Sequence, residues 1–249
     1  MHPHTAAQVV RICLLRHFND RTMNREQIDV VVGSDILGVC PGFVGAAVQG
    51  HVVNTAYSPA LWSEIEALCV SMRAELTPES LKLQPAIEAT RRVYRLCGKD
   101  PSRYRPAAEA LWRRVLQGKS LYRRDTLVDL VNLASMRYGY SMGGFDADRV
   151  CGRLLTLGVG RTGEPYEGIG RGLLNIEGLP VYRDAVGGVG TPTSDSERTK
   201  MTLETTNLLV LINGYDGSRR GVEATAEYVC RLAERYANGT GLSVSFFPG

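Results

Sequence analysis

Leu127-Val128-Asp129-Leu130-Val131-Asn132, followed thirteen positions on by Phe145-Asp146, marks the point where the chain changes character. Leu127, Leu130 and Val131 recur at helical spacing, and the spacing predicts a helix from Thr126 to Tyr138 that ends at Gly139. Upstream the periodicity is also helical. Ser58-Pro59 opens a helix with Ser as cap and Pro at the first helical position, and Leu61, Trp62, Ile65, Leu68, Cys69 and Met72 form its apolar face. A second helix is expected over 85–96, stopping at Gly98, and a third over 106–118, carrying Leu111, Trp112 and Val115. Downstream, 143–215 is rich in Gly and in short β-prone runs at 153–159, 173–176, 179–182 and 207–212. A helix over 222–236 and a strand over 242–247 close the chain. Before all of this, 28–32 reads as the first clear strand and the Gly-punctuated 36–53 as a hairpin pair. Clustered helices followed by mostly antiparallel strands define an α+β fold. One domain is expected over 23–249, with 1–22 disordered or belonging to a start assigned upstream of Met23.

The bulk chemistry agrees with a globular chain. Of 249 residues, 44% are hydrophobic and 22% charged, which excludes collagen, coiled coil and wholesale disorder and suffices for a sizeable core. The longest unbroken apolar run, 208–212, is far short of the ~20 residues of a membrane helix. The apolar 12–15 between Arg11 and Arg16 is too short for a secretory signal, so a cytoplasmic protein without a membrane partner is expected. Cys13, Cys40, Cys69, Cys97, Cys151 and Cys230 contain no Cys-x-x-Cys pair and read as reduced, buried thiols. His2, His4, His17 and His51 lack metal-ligand spacing, so neither a metal nor a cofactor is expected.

A formal charge of +3 conceals an uneven distribution. Arg91, Arg92, Arg95, Lys99, Arg103, Arg105, Arg113, Arg114, Lys119, Arg123 and Arg124 are opposed within their stretch only by Asp100 and Glu109, giving +9 and leaving −6 for the remainder. Arg supplies 25 of the 29 basic residues, and its planar fork suits bidentate phosphate or carboxylate contacts. A solvated helical surface and a polyanion-facing patch both fit this pattern.

Two Gly-rich loops, 164–172 and 187–200, are the other local signal. Glycine lets backbone N–H groups approach a ligand, and Thr191, Thr193, Ser194 and Ser196 add hydroxyls, so the second loop could hold a phosphate, a carboxylate or a sugar. It lacks P-loop spacing, and a β-prone run follows Gly168-Ile169-Gly170-Arg171-Gly172 where a dinucleotide fingerprint requires a helix. Two tight turns in a β-rich half are the plainer account.

Taken together, these segments resemble a known family. Leu127–Asn132 with Phe145-Asp146 resembles the editing-domain core of the phenylalanyl-tRNA synthetase β subunit, where a helix with Val-Asp-Val-Thr-Asn precedes His-Ala-Phe-Asp. Gly187-Gly188 followed by Glu204-Thr205-Thr206-Asn207-Leu208-Leu209 resembles that domain's Gly-Gly and Glu-Thr-x-Asn-Val-Leu-Leu stretch. The run from Gly98 through Lys99, Asp100, Arg103 and Arg105 to Pro106 resembles stand-alone versions of this B3/B4 domain. The resemblance covers residues 28–240. It implies a helix-and-antiparallel-sheet domain placed at the aminoacyl 3′ end of charged tRNA, with an aminoacyl-tRNA synthetase as a further partner and no DNA. In the synthetase this domain hydrolyses tyrosine mistakenly attached to the tRNA for phenylalanine, a discrimination that binding energy alone supplies poorly.

The departures fall on polar positions. The family's His aligns with Gly143, its Ala with Gly144, its Thr with Val131 and its tyrosine-contacting Glu with Leu211, leaving Asn132. A phenolic hydroxyl facing Leu211 would lose roughly 1–3 kcal/mol, which argues against tyrosine-specific editing. Gly143 is expected to open space at the pocket. The expected pocket comprises Asn132, Gly143, Gly144, Gly187, Gly188, Thr191, Ser194 and Leu211, with Asp146 and Asp195 as candidates to act on a water. The expected RNA contacts are Arg91, Arg92, Arg95, Arg103, Arg105, Arg113, Arg114, Arg123 and Arg124. Three functions remain open: a trans-acting hydrolase of misacylated tRNA, a non-catalytic RNA-binding or synthetase-associated module, and a binder of a free amino acid or nucleoside. A complete aminoacyl-tRNA ligase is not expected, since the resemblance fills the 249 residues.

Overall fold

The computed structural model describes residues 27–248; the expectations for residues 1–22, Met23, Cys13, His2, His4 and His17 lie outside the described residues. In chain order the elements are β1 (Asp29–Val32), α1 (Ser34–Val39), β2 (Val44–His51), α2 (Pro59–Glu75), α3 (Pro85–Leu96), α4 (Ala107–Leu116), α5 (Thr126–Tyr138), β3 (Met142–Asp146) and β4 (Leu154–Val159). Then follow β5 (Glu167–Gly168), β6 (Gly172–Leu173), β7 (Pro180–Arg183), β8 (Gly188–Gly190), β9 (Asn207–Gly214), α6 (Arg219–Tyr236) and β10 (Thr240–Phe247).

The helices begin and end where side chains and glycines dictate. Ser58 caps α2 by accepting from Leu61 N, with Pro59 in the first turn. Asp125 caps α5 by accepting from Val128 N at 3.0 Å. At its other end Gly139 takes the left-handed conformation (φ +80°) and donates to Ser135 O, closing the last turn. The buried Trp62 indole donates to Asp129 Oδ2 at 2.5 Å and ties α2 to α5. Burial pushes the Asp129 carboxyl above its usual value, while this bond pulls the other way.

β10, β2, β9 and β3 form an antiparallel sheet in that order. A second sheet runs β1-β4-β7-β8, in which only the β1–β4 pair is parallel. Two hydrophobic clusters make the arrangement layered. On one face of the first sheet Ala46, Val48, Leu208, Val210 and Ile212 pack against Leu61, Ile65, Leu127, Leu130 and Val229 of the helices. On the other face Ala47, Leu209, Leu211 and Phe145 pack against Leu155, Leu157, Tyr182 and Val189 of the second sheet. This explains the unbroken apolar 208–212: β9 is buried on both faces, so nothing requires alternation. The architecture is α+β with antiparallel-rich sheets.

Three sequence expectations are corrected. Residues 36–53 do not form a hairpin: 34–39 is helical and only Val44–His51 is a strand. Asp35 Oδ1 accepts from Ile36 N, Ile36 is buried as the helix's anchor, and the partners of β2 are β9 and β10 from the far end of the chain. Of the run 173–176 only Leu173 is in a strand, with Gly172 before it, paired with Glu167–Gly168 in a two-residue ladder. The last helix also starts at Arg219, three residues before the expected Val222, because Ser218 caps it by accepting from Gly221 N.

Candidate functional site

β3 is an edge strand of the first sheet, and the segment 195–200 runs along it, with Phe145 bridged to Lys200. Successive residues of a strand face opposite ways. A side chain at Gly144 would meet Met201 and Val131 on the helical face; one at Gly143 would meet the Phe145 ring and Asp195 on the inter-sheet face. The space expected at Gly143 is therefore filled. The Phe145 ring, two residues on and on the same face, covers both Gly143 and Gly190, either of which would clash with it if given a Cβ. Leu211 pairs with Gly143 in register and is fully buried in the inter-sheet core, where a carboxylate has no counterpart. Asn132, on α5, belongs to the opposite side of β3; it is half-buried and makes no side-chain hydrogen bond among the described residues. The pocket residues expected on α5, β3 and β9 thus divide, with Gly143 and Leu211 on the inter-sheet face beside the candidate Asp195, and Gly144 and Asn132 on the other.

Asp195 is the polar centre of the inter-sheet side. Its Oδ2 accepts from Gly144 N at 3.1 Å, and its Oδ1 lies 3.1 Å from where Cβ atoms of Gly143 and Gly190 would stand. Larger residues at either position would evict it. Oδ1 has no hydrogen-bond partner among the described residues, and the residue as a whole is half-buried. Burial pushes the carboxyl up to about 7, opposed by the one backbone hydrogen bond.

Asp146, the other candidate, is committed elsewhere. Its Oδ1 accepts from Asp148 N, capping a short 3-10 turn, and its Oδ2 accepts from Thr205 Oγ1 at 2.9 Å and lies 3.6 Å from Arg149.

Many donors of the 187–200 loop are already engaged, within the loop or with neighbouring Asp184 and Tyr104. Thr191 Oγ1 accepts from Thr193 N and Ser194 N and donates to Ser194 O. Gly187 N donates to Asp184 Oδ1, and Ser196 N to Val189 O. Gly188 is held in β8, with the Tyr166 ring where its side chain would be. Ser194 Oγ retains only a long 3.4 Å approach to Asp195 O. Despite the cost of burial, the fork of Arg198 and three backbone N–H groups hold Asp184 below the usual carboxylate range, anchoring the loop base.

The basic segment abuts this loop. Ala107 N donates to Pro192 O at 2.7 Å, and Thr193 Oγ1 bonds Tyr94 OH and Tyr104 O. Its charge is not free throughout. Glu109, fully buried, receives Arg91 and Arg113 at 2.8 Å and has Arg105 at 3.6 Å. Exposed Glu88 meets Arg92 and Arg95, and Glu66 meets Arg123. Arg103, Arg114 and Arg124 have no carboxylate partner among the described residues and lie instead over the Tyr104 and Tyr122 rings. The Glu109 hub is legible in principle, because Arg105 and Arg113 flank it at i−4 and i+4.

Surface clefts lie apart from Asp195. One, about 470 Å³, is lined by Gly98, Lys99, Arg161, Thr162 and Glu177 among others. Another, about 720 Å³, lies over the outer face of the second sheet near Asp35, Thr156 and Arg183. Among the described residues no cluster of His, Cys, Asp or Glu is placed to hold a metal, and no helix is long and apolar enough to cross a membrane.

An inter-sheet carboxylate on a Gly-rich loop, beside an edge strand and an Arg-rich helical segment, defines the class of module. The B3/4 domain family model matches residues 89–237, and the chain belongs to that family. No curated protein matches its sequence. Similar solved structures include an N-terminal fragment of the phenylalanyl-tRNA synthetase beta-subunit from Pyrococcus horikoshii, at 14% identity and a TM-score of 0.46. That match covers 91% of this chain and 52% of the other, so the chain spans about half the length of that fragment.

Proposed function

We propose that this B3/4-domain chain is a tRNA-associated hydrolase acting in trans on the aminoacyl ester of charged tRNA, with Asp195 as general base. The observation that carries this reading is the Asp195 carboxyl itself: pushed up to about 7 by burial, held by one backbone N–H, with its other oxygen left without a hydrogen-bond partner among the described residues. A base poised near neutral pH is matched to proton abstraction there. Ionised Asp195 takes a proton from a water at Oδ1 as the water oxygen bonds to the ester carbonyl carbon. Collapse breaks the bond to the terminal ribose oxygen, which leaves with that proton and restores the carboxylate. Arginines of the 91–124 segment, joined to the loop through Ala107 and Thr193, would hold the phosphates of the 3′ end.

The filled space at Gly143 favours small aminoacyl groups over tyrosine. The test is a deacylation panel of mischarged tRNAs, including tyrosine on the tRNA for phenylalanine. Release above the buffer rate from at least one, abolished by Asp195→Asn, is expected. No release from any charged tRNA removes the reading.

A second reading, RNA binding without catalysis, is favoured by one feature: the positions that match the family's His and Glu carry Gly143 and Leu211, neither of which has a polar side chain. Steeply salt-dependent tRNA binding without deacylation would select it. The remaining alternative, a free amino acid or nucleoside as ligand, predicts thermal stabilisation by that small molecule in a protein with no RNA affinity.

A further inference from the structure

The segment 117–125 between α4 and α5 presents an aromatic and cationic surface that hydrolysis by Asp195 does not use. The Tyr122 ring is 64% exposed. Arg114 lies over it at 3.9 Å from its centroid, with Arg124 at 5.7 Å. At that exposure most of the side chain is open to solvent, with Arg114 packed close against the ring and Arg124 further off. Arg114 is itself fixed, because its Nε donates to Ser120 O at 2.6 Å. The adjoining Arg123 lies 5.0 Å from the Trp62 ring and 5.1 Å from that of Tyr57, which is 43% exposed. Neither Arg114 nor Arg124 has a carboxylate partner among the described residues, and Glu66 meets Arg123 at 3.7 Å.

We infer that this surface is a stacking platform for unpaired RNA bases, with Tyr122 as the principal ring and Arg114, Arg123 and Arg124 on the flanking phosphates. Three properties point to single strands. An open π-face stacks on any base, but only one whose own face is free. A guanidinium held against the ring by its own hydrogen bond to Ser120 O pre-organises it and adds positive charge where a phosphate passes. The platform also sits at the C-terminal end of α4, roughly 15 Å along the helix from the end that touches the Pro192 loop, so one strand could span both. A duplex buries its base faces and gains only the phosphate contacts. The inference rests on reading the chain as an RNA-associated module and not on catalysis.

Fluorescence anisotropy of the full chain tests it, with a labelled oligouridine and a labelled RNA hairpin of equal length at about 50 mM salt. The oligouridine should bind more tightly than the hairpin. Tyr122→Ala should weaken oligouridine binding by about 5- to 150-fold while leaving hairpin binding within about twofold. Tyr122→Phe, which keeps the ring, should bind as the parent does. The exposed position keeps the substitution out of the core, and an unchanged melting curve for Tyr122→Ala verifies that the fold is intact. Equal oligouridine affinity in Tyr122→Ala and parent, an equal loss on both RNAs, or no oligouridine binding by the parent overturns the platform. Deacylation that persists when oligouridine binding is absent leaves the Asp195 reading standing. Oligouridine binding in a protein that releases no aminoacyl group removes the hydrolase and leaves the platform.

Discussion

Replacing Asp195 by Asn separates the charge of this side chain from its shape. The Asn carbonyl can still accept from Gly144 N, the hydrogen bond that holds Asp195 in place, but it cannot ionise. In the parent, burial raises the native carboxyl from 3.8 to about 7. Between those values the native state keeps a proton that the unfolded chain has released, so stability falls as pH rises, by at most ~1.4 kcal/mol per pH unit. Across the whole window the ceiling is about 4 kcal/mol. Asp195 as a residue is only half-buried, and solvent screening brings the expected loss to about 2 kcal/mol. The contribution is fully present below pH ~4 and fully lost above pH ~7. Asp195→Asn should lack this loss. Urea denaturation of both proteins at pH 4.5, 6 and 8 reads the difference directly. The variant should gain on the parent by about 2 kcal/mol between the lowest and highest pH. A gap that does not change with pH, or a parent that gains on the variant as pH rises, would refute a destabilised carboxylate and with it the argument for a base poised near neutrality.

Other consequences of the structure are equally measurable. Leu211→Glu places a carboxylate in the sealed inter-sheet core and should cost at least about 3 kcal/mol in a denaturant melt; an unperturbed protein would mean that this side of β9 is open. Glu109→Gln leaves Arg91, Arg105 and Arg113 facing each other over a neutral amide and should cost about 2–4 kcal/mol, whereas a loss under ~0.5 kcal/mol would show that the hub is dispensable. Tyr215→Phe removes the buried hydroxyl that alone lacks a partner among the described residues, and should raise stability by about 1 kcal/mol; destabilisation would reveal a partner. Arg114→Ala with Arg124→Ala should flatten the salt dependence of tRNA binding, by roughly 0.7–0.9 in log–log slope for each phosphate no longer neutralised, and an unchanged slope would clear both residues.

Much of the fold is legible in the sequence because its punctuation is local. Ser58-Pro59, Asp125, Gly98, Gly118 and Gly139 each mark a helix end by their own chemistry, and the boundaries of α3 and α5 follow from them. The segments that the sequence misrepresents depend on distant partners. The stretch 36–53 has hairpin composition, but β2 pairs with strands more than 150 residues away, and the small helix before it is set by Asp35 and the burial of Ile36. The site divides in the same way. A carboxylate in a Gly-rich loop, such as Asp195, can be read from residue order. Its burial against Gly143 and Gly190 cannot, nor can the rotamer that lays the Phe145 ring over both glycines. The basic segment is visible as charge, yet its tertiary ion pair with Glu66 and its rings at Tyr57 and Trp62 come from outside it.

The most direct test of the account is the rate of aminoacyl release from charged tRNA by the parent and by Asp195→Asn between pH 5.5 and 8, after subtraction of the buffer rate. The account predicts that the enzymatic rate rises through an inflection near pH 7 in the parent, following ionisation of Asp195, and disappears in the variant. A variant that releases the aminoacyl group as fast as the parent, with the same pH profile, would contradict it.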